Sequence, residues 1–209
     1  MSSLPRLGVL ISGRGSNLQA IVDAIAAGAL QATVAVVISN VPAAAGLDRA
    51  RGAGIETEVI PHVGLTREVY DRALVEALNR RGVELVCLAG FMRLLGPTFI
   101  AAFPNRILNI HPSLLPAFPG LDAQRQAFEH GVKIAGATVH IVNTELDAGP
   151  IVLQAAVPVS AGDTAASLSE RILEAEHRIY PQAIQLMLDG GWELDGRRLQ
   201  FPARTETRS

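Results

Sequence analysis

Apolar and polar positions fall into blocks along the first half of the chain, each with the length of a strand or the period of a helix. Leu7 to Ile11 is a short continuous apolar run, read as a buried strand. Ser12-Gly13-Arg14-Gly15-Ser16 follows as a tight loop. Asn17 to Ala27 then sets Leu18, Ile21, Val22 and Ile25 on one helical face. Thr33 to Ser39 reads as a second strand, 44–53 as a helix, and 56–60 as a short third strand. The segment 65–81 is amphipathic through Val69, Leu74 and Leu78, and Leu85 to Ala89 is a fourth buried strand. Apolar strands alternating with helices predict right-handed βαβ units and a parallel sheet.

The pattern changes in the second half. Ile107 to Ile110 is a strand that runs into a Pro-rich loop, His111 to Gly120. Residues 122–130 form a short helix, and 137–142 and 151–157 are two further strands joined by the polar loop Asn143 to Pro150. A long helix over 163–188 takes Asp163 or Thr164 as its cap, with a kink expected before Pro181. Residues 192–201 read as a terminal hairpin turning at Asp195-Gly196, and 202–209 as a frayed polar tail. The expected fold is α/β, one domain over 1–209: a Rossmann-like, mostly parallel sheet with flanking helices. Residues 7–104 form its first half and 105–201 complete the sheet.

Composition narrows the function. With 49% apolar residues, 18% charged residues and a net charge of −2, the chain is neither disordered nor a basic nucleic-acid binder. No stretch is long and apolar enough to span a membrane, and Met1 to Arg6 is polar, so a cytoplasmic protein is expected. The single Cys87 lies in an apolar run and reads as a small core residue. Of the 18 cationic side chains only Lys133 is a lysine, so an anion site must use arginine, backbone amides or a helix end.

Three loops carry candidate chemistry. Gly13-Arg14-Gly15-Ser16-Asn17, between a strand and a helix, is suited to an anion held on free amides. It is equally a Gly-rich turn with Asn17 capping the helix. A dinucleotide fingerprint would need a third glycine where Leu18 stands and an acid after the second strand, where Ser39-Asn40 stand, so NAD is not supported. Asn109 and His111, two apart at the carboxyl end of a strand, share a face. An amide donor beside an imidazole suits acyl transfer, one holding an oxyanion and the other moving a proton; a histidine satisfied by loop backbone is the alternative. Asp147 is either an Asx turn or a carboxylate that favours the imidazolium form of His111. His62 and His130 are expected to be solvated. His140 lies on the strand face opposite Val139 and Ile141, and Glu176-His177 face cleft or solvent. No residues have metal-ligand spacing, and no G-x-S-x-G elbow is present.

Taken together, Val9 to Ile21, Leu88-Ala89-Gly90-Phe91-Met92-Arg93, and Leu108 to Pro116 resemble the phosphoribosylglycinamide formyltransferases. Further matches are Glu145 to Ile151 with Gln154, and Glu176-His177 with Tyr180-Pro181. The likeness runs from about Leu7 to Phe201. It implies the formyltransferase fold, whose C-terminal half supplies catalytic residues and the folate cleft. It implies transfer of a formyl group from 10-formyltetrahydrofolate, a co-substrate, to the amine of phosphoribosylglycinamide in purine synthesis. Gly15, Ser16 and Asn17 would hold the ribose phosphate, and Glu176 the glycinamide. Arg67 and the run Met92, Arg93, Leu94 and Leu95 would meet the folate, together with Asn109. Asn109 and His111 would act on the formyl carbon after direct attack by the amine, with Asp147 supporting His111. No metal and no covalent enzyme intermediate are implied. Partners would be small molecules only, with no nucleic acid or membrane, in a monomer or homodimer.

The chain departs from the family pattern after Pro119-Gly120. Some members have histidines there, where this sequence has Leu121-Asp122-Ala123-Gln124-Arg125. Ala148 also replaces a glycine. A methionyl-tRNA formyltransferase would need a further basic domain, and a formyltetrahydrofolate hydrolase an extra N-terminal one. A silent phosphate-binding module would leave Asn109, His111 and Asp147 apart in space.

Overall fold

A computed structural model describes residues 3–201; the expected tail at 202–209 lies outside the described residues. Nine strands form one sheet in the order β3-β2-β1-β4-β5-β6-β7-β9-β8. They are β1 (Arg6–Ile11), β2 (Thr33–Ser39), β3 (Thr57–Val59), β4 (Leu85–Leu88), β5 (Ile107–His111), β6 (Ile134–Ile141), β7 (Ile151–Pro158), β8 (Glu193–Asp195) and β9 (Arg198–Gln200). The first five are mutually parallel; β6 returns antiparallel to β5, and β7 antiparallel to β6. Strand order reverses around β1 and β4, so the loops after β1, β4 and β5 rise from one edge. In such sheets that crevice is where ligands bind.

Six helices cover the two faces: α1 (Ser16–Ala26), α2 (Ala45–Gly52), α3 (Arg67–Asn79), α4 (Pro97–Ala102), α5 (Ala123–His130) and α6 (Ala165–Asp189). On one face Leu18 and Ile21 of α1, Leu47 of α2, and Ile172, Ile179 and Ile184 of α6 pack on the sheet. On the other, Leu74 and Leu78 of α3 meet Phe99 and Phe103. Apolar strands buried from both sides explain the continuous apolar runs in the sequence. Cys87 is fully buried, and burial pushes its thiol up to about 12.

Two expectations change. Pro97–Ala102 is a helix that sequence reading passed over; proline at its first position suits a helix start. Secondly, the long helix is bounded at Ala165–Asp189 and runs through Pro181, around which Tyr180, Ala183 and Ile184 are buried. Its cap is Thr164, in a capping box with Ser167.

Tyr180 ties α6 to the site edge. Its hydroxyl hydrogen is shared between the carbonyl oxygens of Leu88 (2.9 Å) and Leu108 (3.1 Å). Tyr180→Phe leaves those buried carbonyls without that donor and is expected to cost about 1–2 kcal/mol in chemical denaturation. An unchanged midpoint would show that the bond contributes nothing net.

Candidate active site

The site starts from the register of β5 against β6. Asn109 lies opposite His140, and His111 opposite Thr138. Alternation puts all four side chains on one face of the sheet. His140 Nδ1 faces the Ile141 carbonyl at 3.0 Å, which can only accept, so Nδ1 carries the proton. Nε2 is then the acceptor for Asn109 Nδ2 at 3.2 Å. That bond fixes the orientation of the Asn109 amide and leaves its second N–H free.

Asp147 comes from the β6–β7 loop with φ 48°, in the left-handed region that Asp and Asn tolerate. Its Oδ2 accepts from Gly120 N–H at 2.8 Å and lies 3.4 Å from His111 Nδ1; its Oδ1 lies 3.6 Å from His140 Nε2. Burial opposes ionisation of this carboxyl. Protonation of the His140 ring, which turns Nε2 from an acceptor for Asn109 into a donor toward Oδ1, the Gly120 N–H and the charge on His111 more than offset it, so the carboxyl sits below its ordinary range and stays ionised at neutral pH. The loop's Asx turn is made by Asn143, which accepts from Glu145 N–H at 3.0 Å. The other nitrogen of His111, Nε2, donates to the Phe118 carbonyl at 2.9 Å. Both readings of His111 therefore hold together: loop backbone satisfies one side of the ring and a carboxylate faces the other.

The β1–α1 turn is built differently from a side-chain cap. Gly15 is the N-cap in the left-handed conformation (φ 71°), and no side chain caps the helix. A β-carbon at Gly15 would lie 2.7 Å from Gly46 Cα, so only glycine lets α2 approach. Asn17, buried in the first turn of α1, sends Nδ2 to Glu176 Oε2 of α6 at 2.7 Å. Burial pushes the Glu176 carboxyl up to about 6, against the pull of the Asn17 bond. Asn17 Oδ1 is buried with no partner.

A raised acid pKa lowers stability as pH rises. Between about 4.5 unfolded and about 6 folded, the native state binds the extra proton; above 6 the ionised group costs on the order of 2 kcal/mol. Glu176→Gln is therefore expected to raise the melting temperature at pH 7.5, with the gain gone below pH 4.5. A lower melting temperature at pH 7.5 would refute the burial account.

Of the remaining candidates, Met92, Arg93 and Leu94 are exposed on the β4–α4 loop, and Arg67 is exposed at the start of α3. Leu95 is buried and packs in the core cluster with Phe91 and Phe99. Met92 is 65% exposed and Leu94 55%, and Leu121 and Leu146 on other loops are exposed as well. His62 is half-buried beside Asn40, not solvated as expected. His130 is exposed, and His177 is partly buried. His140 is the site residue whose role sequence reading left open. Its face on the strand was visible; its partner across the ladder was not. Among the described residues no grouping of His, Cys, Asp and Glu has the arrangement of a metal site.

Comparison with known proteins gives the family. Residues 5–184 match the family model described as formyl transferase. The chain is 48% identical over 200 residues to phosphoribosylglycinamide formyltransferase of Escherichia coli, covering 91% of this chain and 94% of that one. It is 50% identical over 190 residues to the human trifunctional purine biosynthetic protein adenosine-3, covering 90% of this chain but spanning only 19% of that protein. Among solved structures it superposes on glycinamide ribonucleotide transformylase 1 from Symbiobacterium toebii with a TM-score of 0.92, at 57% identity over 95% of this chain and 94% of that one. The chain belongs to the formyl transferase family, and within it to the phosphoribosylglycinamide formyltransferases.

Proposed function

We propose that this chain transfers the formyl group of 10-formyltetrahydrofolate to the amine of 5'-phosphoribosylglycinamide, giving formylglycinamide ribonucleotide and tetrahydrofolate in purine synthesis. The observation that carries the reading is the convergence of Asn109, His111, His140 and Asp147 at the carboxyl end of β5 in a chain so similar to enzymes of that name. A silent phosphate-binding module would have no need of that grouping.

The folate fits what the chain offers. Exposed Met92 and Leu94 suit an apolar ring system, and exposed Arg67 suits an anionic tail. The co-substrate supplies an activated formyl group. Free amides of Gly15, Ser16 and Asn17 at the start of α1 hold the phosphate of the other substrate. Glu176 receives its glycinamide end. Asn109 directs its free N–H at the formyl oxygen as negative charge develops there. His111 also faces that oxygen, and it gives a proton to the folate nitrogen as the carbon–nitrogen bond to folate breaks. The attacking amine gives up a proton to water as its own bond to carbon forms, and a proton from water restores His111, so the proton delivered to folate is balanced by the one the amine loses. For His111 Nε2 to meet substrate, its bond to Phe118 has to be exchanged. Asp147 holds Nδ1 during that exchange. No helix among the described residues is long and apolar enough to cross a membrane; a cytoplasmic location and a monomer or homodimer are part of the proposal.

The test is direct. The protein is mixed with phosphoribosylglycinamide and a 10-formylfolate donor, and deformylated folate is followed by absorbance. Turnover dependent on both substrates is expected; none, or turnover indifferent to phosphoribosylglycinamide, overturns the reading.

A further inference from the structure

The run Met92–Leu95 is held at both ends by side chains from distant parts of the chain. Ser12, which follows β1, makes two bonds to the near end: its N–H donates to the Gly90 carbonyl (3.0 Å), and its hydroxyl accepts from Met92 N–H (2.8 Å). The hydroxyl's own hydrogen goes to Asn40 Oδ1 at 2.6 Å, and buried Asn40 meets His62 Nδ1 through its Nδ2 at 3.2 Å. Ser12 is thus fixed as an acceptor for the loop.

At the far end Asp71, buried on α3, accepts from Gly96 N–H through Oδ2 at 2.9 Å. A β-carbon at Gly96 would lie 2.5 Å from that same oxygen, so the close approach requires glycine. Burial pushes the Asp71 carboxyl up, while the N–H groups of Gly96 and Phe99 and the charge of Arg67 pull the other way. Its hydrogen bond goes to Gly96, where the loop passes into α4, instead of serving its own helix. Between the two anchors Phe91 and Leu95 are buried while Met92, Arg93 and Leu94 stand in solvent. The backbone is fixed and the side chains between the anchors are free.

We infer that Ser12 and Asp71 are positioning residues for the formyl donor: they hold the Met92–Leu95 backbone in its binding geometry before the folate arrives. This rests on the proposed function, in which that run lines the folate pocket. Order already present in the free protein is not lost on binding, and this strengthens affinity without any new contact.

Binding of 5-formyltetrahydrofolate, a non-transferring probe, is measured by calorimetry on the whole chain, alongside steady-state kinetics. Ser12→Ala is expected to weaken probe binding and raise the donor KM by about five- to tenfold, the effect of one lost hydrogen bond. Both kcat and the KM for phosphoribosylglycinamide stay within about twofold, as expected when only donor binding is affected. Ser12→Thr keeps the hydroxyl and restores affinity. Asp71→Ala acts in the same direction, and Asp71→Asn, which keeps an oxygen for Gly96 N–H, recovers most of the loss. A purely structural role would move both KM values, kcat and the melting temperature together, and that result overturns the inference. So does unchanged donor affinity in both alanine variants, or a wild type that does not bind the probe. A wild type that binds the probe but transfers no formyl group refutes the proposed function while the calorimetry still decides the anchors.

Discussion

His111→Ala is expected to lower kcat about 10³-fold while leaving the affinity for both substrates nearly intact. Removing one oxyanion donor costs about 10²–10³ in rate, and a general acid contributes about 10²–10⁴. Contributions of residues acting as a unit do not add, which places the loss near the middle of that range. The substitution leaves the rest of the site standing. Asn109 keeps its bond to His140, and Asp147 keeps the Gly120 N–H. Steady-state turnover gives kcat, and calorimetry with each substrate gives affinity. Turnover at the wild-type rate would remove His111 from the chemistry.

Asp147→Asn is the second large effect, about 10²-fold in kcat, since one charge beside the imidazole is lost while the ring stays in place. Asparagine is the informative replacement. It tolerates the left-handed backbone at 147 and keeps an oxygen for Gly120 N–H. Alanine would mix chemistry with strain of about 1 kcal/mol or more. The same site predicts how activity depends on pH. With its carboxyl below 3.8, Asp147 remains charged through the mildly acidic range and contributes no loss there. A decline centred near pH 6 is then expected from Glu176, pushed to about 6, whose protonation removes the charge that meets the glycinamide end. Glu176→Gln should abolish that pH dependence while raising KM; a decline that persists in the variant would assign it elsewhere.

The sequence showed most of the frame. Thr33 to Ser39 is observed with the expected limits, because a β-branched run between polar loops leaves few alternatives. Pro97–Ala102 escaped notice since Gly96-Pro97 reads as loop punctuation, and six residues are too few for a helical period to show. Strand β6 begins at Ile134, three residues before the expected 137, as Gly136 interrupts the apolar pattern. Within the site, Asn109 and His111 were legible through their spacing of two. The pairing of Asn109 with His140 was not, since it depends on antiparallel register. The Asp147 contacts with Gly120 and His111 depend on two loops folding over each other, which local pattern does not encode.

The bond between Asn17 and Glu176 joins residues 159 apart in the chain. Synthesis runs from the N-terminus, so the phosphate turn exists long before the helix that completes its neighbour. Closing so long a loop costs entropy that is recovered only when α6 docks on the sheet. A chain with its first five strands paired and α6 undocked would hold an anion turn and no glycinamide contact. Binding of phosphoribosylglycinamide through both ends therefore reports a finished molecule, and a saturating ligand would draw the last docking step toward completion.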